Sequence, residues 1–155
     1  METAEPLRNK EQTGRRMKLL IGRFARDLDC VVVRRGRRSI PLSDLSASAV
    51  HSLVKNIPYK KDTAPIEVVA RPARLLNGEF YTGLDCKKKS IVLGAWAVRN
   101  HIPYRLIASS RRPDKKYHHV FPQIRLNGSW VNFDATYKNM RIGANKRGTA
   151  FEVLL

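Results

Sequence analysis

Long apolar runs, acidic residues, paired cysteines and aromatics are all scarce in this sequence. No stretch approaches the ~20 consecutive apolar residues of a membrane-spanning helix, which excludes that class. Two cysteines, Cys30 and Cys86, are too few for a disulfide framework. Aromatic residues make up 8%, and no recognised nucleic-acid-binding motif accompanies them, so a base-stacking module is not indicated. Neither Cys-x-x-Cys nor His-x-x-x-His spacing occurs, so no metal site is expected. The opening METAEPLRNKEQTGRR has no apolar core, so it is not read as a secretory signal. A cytoplasmic location is the expectation, with carriage inside a viral particle as the alternative.

What remains is an ordinary globular composition under an unusual charge. Hydrophobic residues account for 43% of 155, enough for one compact domain with a core. Thirty Lys and Arg against thirteen Asp and Glu leave +17. Such a field attracts polyanions: nucleic acid, an anionic cell-wall polymer, an acidic membrane face or an acidic protein. Eleven basic and five acidic residues fall before residue 41, so the excess is spread along the chain, which argues against a single DNA-binding groove. Its densest local run is Arg34-Arg35-Gly36-Arg37-Arg38, and with Lys87, Lys88 and Lys89 these arginines are the candidate anion-binding residues.

Met17, Leu20, Ile21, Phe24 and Leu28 recur at helical spacing among basic residues, predicting a basic amphipathic helix over 15–28. A short strand over 29–33 and the arginine-rich turn follow. A second helix over 41–55 is expected, capped by Ser43 or Asp44, with Leu45, Val50 and Leu53 inward. A β-type run covers 66–70. Asp85 opens the most apolar helix, 86–100, most of whose circumference should be buried. Pro103 lies just beyond it. The period then changes to alternation: strands over 104–108 and 117–126, an Asn127-Gly128 hairpin, and a strand over 129–133. The fold class is therefore α+β, a buried cysteine-bearing helix packed on an antiparallel sheet. Residues 1–47 read as a basic N-terminal extension and 48–155 as the core.

Cys86 sits at the first turn of that helix, where unpaired N–H groups and the helix dipole favour a thiolate, and Lys87, Lys88 and Lys89 add cationic field. A thiol nucleophile needs a base, and the base needs a partner to fix its tautomer. The hairpin brings the strand of His118-His119 beside that of Asp134, which offers both. The bland readings are a small buried hydrophobe for Cys86 and a solvated first turn for the lysines.

Four segments in order resemble the transglutaminase-like, papain-fold superfamily. They are Gly83-Leu84-Asp85-Cys86, Asn100-His101-Ile102-Pro103-Tyr104-Arg105, His119-Val120-Phe121, and Asn127-Gly128-Ser129-Trp130-Val131-Asn132-Phe133-Asp134-Ala135-Thr136. Residues 54–62 and Ala70-Arg71-Pro72 are similar to the lead-in of compact phage and prophage members. The resemblance implies a papain-like core with a Cys86, His119, Asp134 triad, no cofactor, and a protein or peptide substrate. Strand alternation alone sets His118 on the face of Val120, whereas the motif selects His119. His118, His51 and His101 are then structural or surface residues. The implied chemistry is acyl transfer from an amide through a thioester, resolved by water (peptidase or amidase) or by an amine (transglutaminase). The Cys86 N–H is the natural oxyanion donor and Tyr81 a second candidate. Two alternatives stand beside it: an inactive domain of this fold serving as a basic structural or virion-assembly piece, and a basic nucleic-acid-binding module.

Overall fold

A computed structural model describes residues 10–62, 69–77, 83–110, 118–144 and 150–154. Its elements, in chain order, are α1 (Lys10–Phe24), α2 (Asp27–Cys30), β1 (Val32–Arg35), β2 (Arg38–Pro41), a 3-10 turn (Leu42–Asp44), α3 (Ala47–Asn56), α4 (Pro72–Leu75), α5 (Cys86–Arg99), β3 (Tyr104–Ser110), β4 (His119–Leu126), β5 (Ser129–Asn132) and β6 (Ala150–Leu154). The architecture is α+β, with α5 packed on a four-stranded antiparallel sheet of order β5-β4-β3-β6 and a separate β1–β2 hairpin. Among the described residues no helix is long and apolar enough to cross a membrane.

Helix α5 is the axis of the molecule. Eleven of its fourteen residues are buried, including Ile91, Val92, Leu93 and Trp96, because elements pack on it from several sides. β4 lies against one side, α1 and α3 against others. Met17, Leu20 and Ile21 of α1 share one hydrophobic cluster with Leu93, Leu106 and Ile124. The N-terminal segment from Lys10 onward is thus built into the same core as the rest. The α1–α5 contact is close: a Cβ on Gly94 would lie 2.7 Å from Ile21 Cδ1. Glycine at this position lets the two helices approach.

Tertiary contacts shift several expected boundaries. The apolar spacing continues to Leu28, but α1 stops at Phe24 and the chain turns before α2. The turn lets the Asp27 carboxylate accept from Arg71 Nε at 2.8 Å and Ala73 N at 3.0 Å. Asp29, expected to open a strand, is helical and pairs with Arg99 at 2.8 Å, so β1 begins only at Val32. The second helix starts later than expected. Ser43 and Asp44 lie in the 3-10 turn, and Ser46 caps α3 by accepting from Ala49 N at 3.1 Å. Of the 66–70 run only Val69 and Ala70 are described. They are buried and not in a strand. Strand β6 had no counterpart in the sequence reading. It pairs with β3, Leu106 opposite Leu154.

The C-terminal sheet follows its alternation closely. Asn127 and Gly128 take φ of 51° and 81°, the left-handed pair that a two-residue hairpin turn requires. Leu126 faces Ser129 across the turn, and Gln123 faces Asn132. Phe133 N donates to Pro122 O at 2.9 Å, carrying the pairing one residue further. Continued in register, Asp134 falls opposite Phe121, on the same face as His119 two residues earlier.

Candidate active site

Three local devices fix the start of α5. Asp85 is the N-cap, its Oδ1 accepting from Lys88 N at 2.9 Å, which satisfies one of the orphan donors of the first turn. Its other oxygen has no well-aligned hydrogen bond, but the Lys87 ammonium stands 3.1 Å away. Upstream, Leu84 bridges Tyr59 in parallel, with Leu84 N donating to Pro58 O at 2.9 Å. Gly83 has φ +150°, and a Cβ there would meet Pro58 O at 2.7 Å, so this approach admits only glycine. Ser90 Oγ lies 2.7 Å from Cys86 O and 3.3 Å from Val120 O, tying the first turn of α5 to β4.

Cys86 is a free, buried cysteine at the first position of α5. His119, the first residue of β4, is bound by Asp134: its Nε2 lies 2.6 Å from Asp134 Oδ2. Cys86 lies close enough to the His119 ring for the two to interact electrostatically. With Nε2 engaged by the carboxylate, Nδ1 is the ring nitrogen left for the sulfur. Asp134 Oδ1 is held separately, accepting from Thr136 N at 3.0 Å and Thr136 Oγ1 at 2.6 Å. The fold therefore brings the three candidates together, with the imidazole hydrogen-bonded to the carboxylate and in electrostatic contact with the thiol. His118 lies next to them but is exposed, its backbone N donating to Ser109 O.

The electrostatics follow from this geometry. Burial works against an imidazolium at position 119, but the hydrogen bond to Asp134 and the electrostatic pull of Asp134 and Cys86 outweigh it. The His119 pKa is pushed up to about 9. Burial likewise opposes charge on Asp134, yet His119 and the two Thr136 donors hold its carboxyl below the usual range. The ring and the carboxylate thus carry opposite charges at neutral pH.

Two residues outside the expected triad secure the segment that carries Asp134. His51, on α3, is buried, and its Nε2 lies 2.7 Å from the Asp134 backbone oxygen. A carbonyl only accepts, so His51 donates from Nε2. Burial lowers its pKa, in keeping with a neutral ring. It also packs at a tilt against Phe133, with ring centroids 5.4 Å apart. Lys89 is 1% exposed, and its ammonium reaches the backbone oxygens of Ile57 at 2.6 Å, Thr136 at 2.9 Å and Ala135 at 3.3 Å. One side chain thus joins α5, the end of α3 and the loop that carries Asp134. Burial depresses its pKa to about 8.

These positions revise the reading of the lysine run. Lys88 is also buried and pairs with Asp62, so the charges of Lys88 and Lys89 are turned onto protein oxygens and not offered to an external anion. Nor is the first turn simply solvated, since α5 lies inside the core and long side chains must find partners there. Spacing gave no signal for Lys89 or His51, because their partners lie 32 or more residues away in sequence. Arg34, Arg35, Arg37 and Arg38 stand elsewhere, exposed on the β1–β2 hairpin. His101, at positive φ just beyond α5, is exposed and belongs to the helix end. Tyr81 lies outside the described residues. Tyr59 and Tyr137, half-exposed and with ring centroids 5.4 Å apart, flank the site: Tyr59 faces Leu84 and Tyr137 follows Thr136. Burial, then the charge of Cys86, raises the Tyr59 pKa, an electrostatic sign that its phenol lies near the thiol.

No protein-family model and no curated protein matches this sequence. Among solved structures, the chain is similar to calcium-bound LapG of Legionella pneumophila at 14% identity and a TM-score of 0.47, over 84% of this chain and 67% of that one. It is also similar to a candidate cysteine protease of Cytophaga hutchinsonii at 14% identity and a TM-score of 0.45, over 99% of this chain and 52% of that one. The chain thus spans about half of the second protein's length. Neither likeness extends to a phage protein. Both are distant, and the chemistry of the site rests on its own residues.

Proposed function

We propose that this chain is a transglutaminase-like cysteine peptidase or amidase whose triad is Cys86, His119 and Asp134. The observation that supports it is the His119 ring, hydrogen-bonded to a buried carboxylate that Thr136 holds in turn, and in electrostatic contact with a cysteine at a helix N-terminus. In this reading the thiol proton resides on His119, and Asp134 orients and stabilises the imidazolium. Cys86 Sγ attacks the carbonyl carbon of a protein or peptide amide. The oxyanion is met by the Cys86 N–H, which at the first helical position has no intrahelical acceptor. His119 gives its proton to the departing amine, leaving a thioester on Cys86. Water then attacks the thioester, losing a proton to His119, and the acid leaves as the thiol is regenerated. An amine in place of water would give transamidation.

The test is alkylation of Cys86 by iodoacetamide across pH 5–9, with Cys30→Ser to silence the other thiol and His119→Ala for comparison. Rapid alkylation at pH 6, lost on His119→Ala, is the expected result. Peptide mixtures would then be screened for a Cys86-dependent thioester by mass spectrometry. A profile like that of a free thiol of pKa about 8.5, indifferent to His119, would leave an inactive domain of this fold as the better account.

A further inference from the structure

Among the described residues, basic side chains near the core differ from those exposed at the surface, of which the β1–β2 hairpin holds the densest group. Most basic side chains near the core are matched: Arg71 with Asp27, Arg99 with Asp29, Lys88 with Asp62, Lys87 with Asp85, and Lys89 with three carbonyls. The β1–β2 hairpin is the opposite case. It carries Arg34, Arg35, Arg37 and Arg38 within five residues, all exposed, and none of their side chains has a hydrogen bond or ion pair among the described residues. Arg35 and Arg38 face one another directly across the two strands, an arrangement of like charges that destabilises a hairpin. The ribbon is nevertheless held firmly at its base. Val33 and Ile40, also cross-strand partners, pack against the core, and Leu42 N donates to Val31 O at 2.8 Å. The arginines beyond that anchor are the tip of a fixed two-stranded ribbon, turned at Gly36 with φ +62°.

We infer that this ribbon is a docking element for double-stranded DNA, binding its phosphates through Arg34, Arg35, Arg37 and Arg38. Guanidinium groups suit phosphate oxygens through paired N–H donors, and a two-stranded ribbon fits the width of the major groove. No aromatic residue lies between Val32 and Pro41, so the ribbon offers no stacking platform of the kind that single strands require. The net charge of +17 adds a long-range field that draws the same partner.

Its placement separates it from the candidate active site. The hairpin adjoins α2, and α2 is tied by Asp29 to Arg99, the last residue of α5. Cys86 is the first residue of that helix. Fourteen residues at about 1.5 Å each put the two ends roughly 20 Å apart. Binding at one end and chemistry at the other are therefore separable by mutation, and the docking inference stands whether or not Cys86 is catalytic.

The experiment is the affinity of the full chain for a fluorescein-labelled 20-base-pair DNA duplex, by anisotropy, from 50 to 300 mM NaCl. Three proteins are compared: wild type, a variant with Arg34, Arg35, Arg37 and Arg38 all changed to Gln, and a control with Arg15, Arg23, Lys61 and Lys138 changed to Gln. The control removes the same charge from other exposed positions. Circular dichroism and Cys86 alkylation verify that each remains folded. Each lost phosphate contact flattens the slope of log K against log salt by about 0.9. The hairpin variant is expected to lose about 3 to 4 from that slope, and the control less than 1. Equal losses in both variants would overturn the inference, leaving a diffuse field with no docking element. So would the absence of duplex binding at 50 mM NaCl, or tighter binding of the hairpin to a polyphosphate wall polymer or an acidic peptide than to DNA.

Discussion

Replacing Lys89 by Met tests the most unusual side chain of the site. The ammonium is almost wholly buried and serves the carbonyls of Ile57, Ala135 and Thr136. Removing it strips those oxygens of a donor, at about 1 to 3 kcal/mol for each that finds no substitute. It also removes the cost of burying a charge. The drop in pKa from 10.5 to about 8 sets that cost at about 3 kcal/mol, at 1.36 kcal/mol per pKa unit. The two effects oppose each other at pH 7, so the variant should fold, with a stability loss of a few kcal/mol at most. The informative quantity is how the loss changes with pH. Because the folded pKa lies below the unfolded one, the unfolded chain holds the extra proton between about pH 8 and 10.5. Wild-type stability therefore gains from Lys89 as pH rises through that window, and the variant has no such gain. Urea unfolding at pH 7 and at pH 10.5 measures it. The gap between wild type and Lys89→Met should widen by about 3 kcal/mol at the higher pH, while groups titrating in both proteins cancel. A gap constant to within about 0.5 kcal/mol would refute the buried-ammonium account.

His119 has the opposite sign. Its folded pKa of about 9 lies above the ordinary 6.5, so its contribution is complete below pH 6.5 and is lost as pH rises through 9. The stability gap between wild type and His119→Ala should shrink by about 3 kcal/mol from pH 6 to pH 9.5 in the same urea assay. Asp134→Asn preserves size but removes the anion that fixes the ring, and Cys86 alkylation at pH 7 should slow at least ~10-fold. An unchanged rate would mean that His119 acts without its carboxylate. Gly94→Val forces a side chain against Ile21 of α1, 2.7 Å from where its Cβ would lie. The unfolding midpoint in urea should fall by an amount corresponding to about 2 kcal/mol of overpacking, and a neutral result would mean that α1 can shift on α5.

Local rules were enough for the parts of the fold with short-range causes. Asn127-Gly128 fixed the hairpin, because few other pairs accept two left-handed residues. Alternation placed β3, β4 and β5 to within a few residues. Asp85 marked the start of α5, and unrelieved apolarity foretold its burial. A histidine–aspartate pairing was legible because a hairpin converts sequence distance into strand register, while the choice of His119 over His118 came from the family resemblance.

Tertiary structure decided whatever depended on a distant partner. The break between α1 and α2 exists because Asp27 reaches Arg71 and Ala73, 44 and 46 residues away, and no local pattern encodes that meeting. Strand β6 is a strand because β3 offers it an open edge, a circumstance absent from its own five residues. The lysines after Cys86 show the difference most plainly. By composition they are three like charges at the start of a helix. In the fold, one faces Asp85, one Asp62 and one the loop that carries Asp134. Sequence alone determined which chemical groups stand at the head of α5. Where their charges point was set by packing, since a buried ammonium must find oxygens wherever the folded chain supplies them.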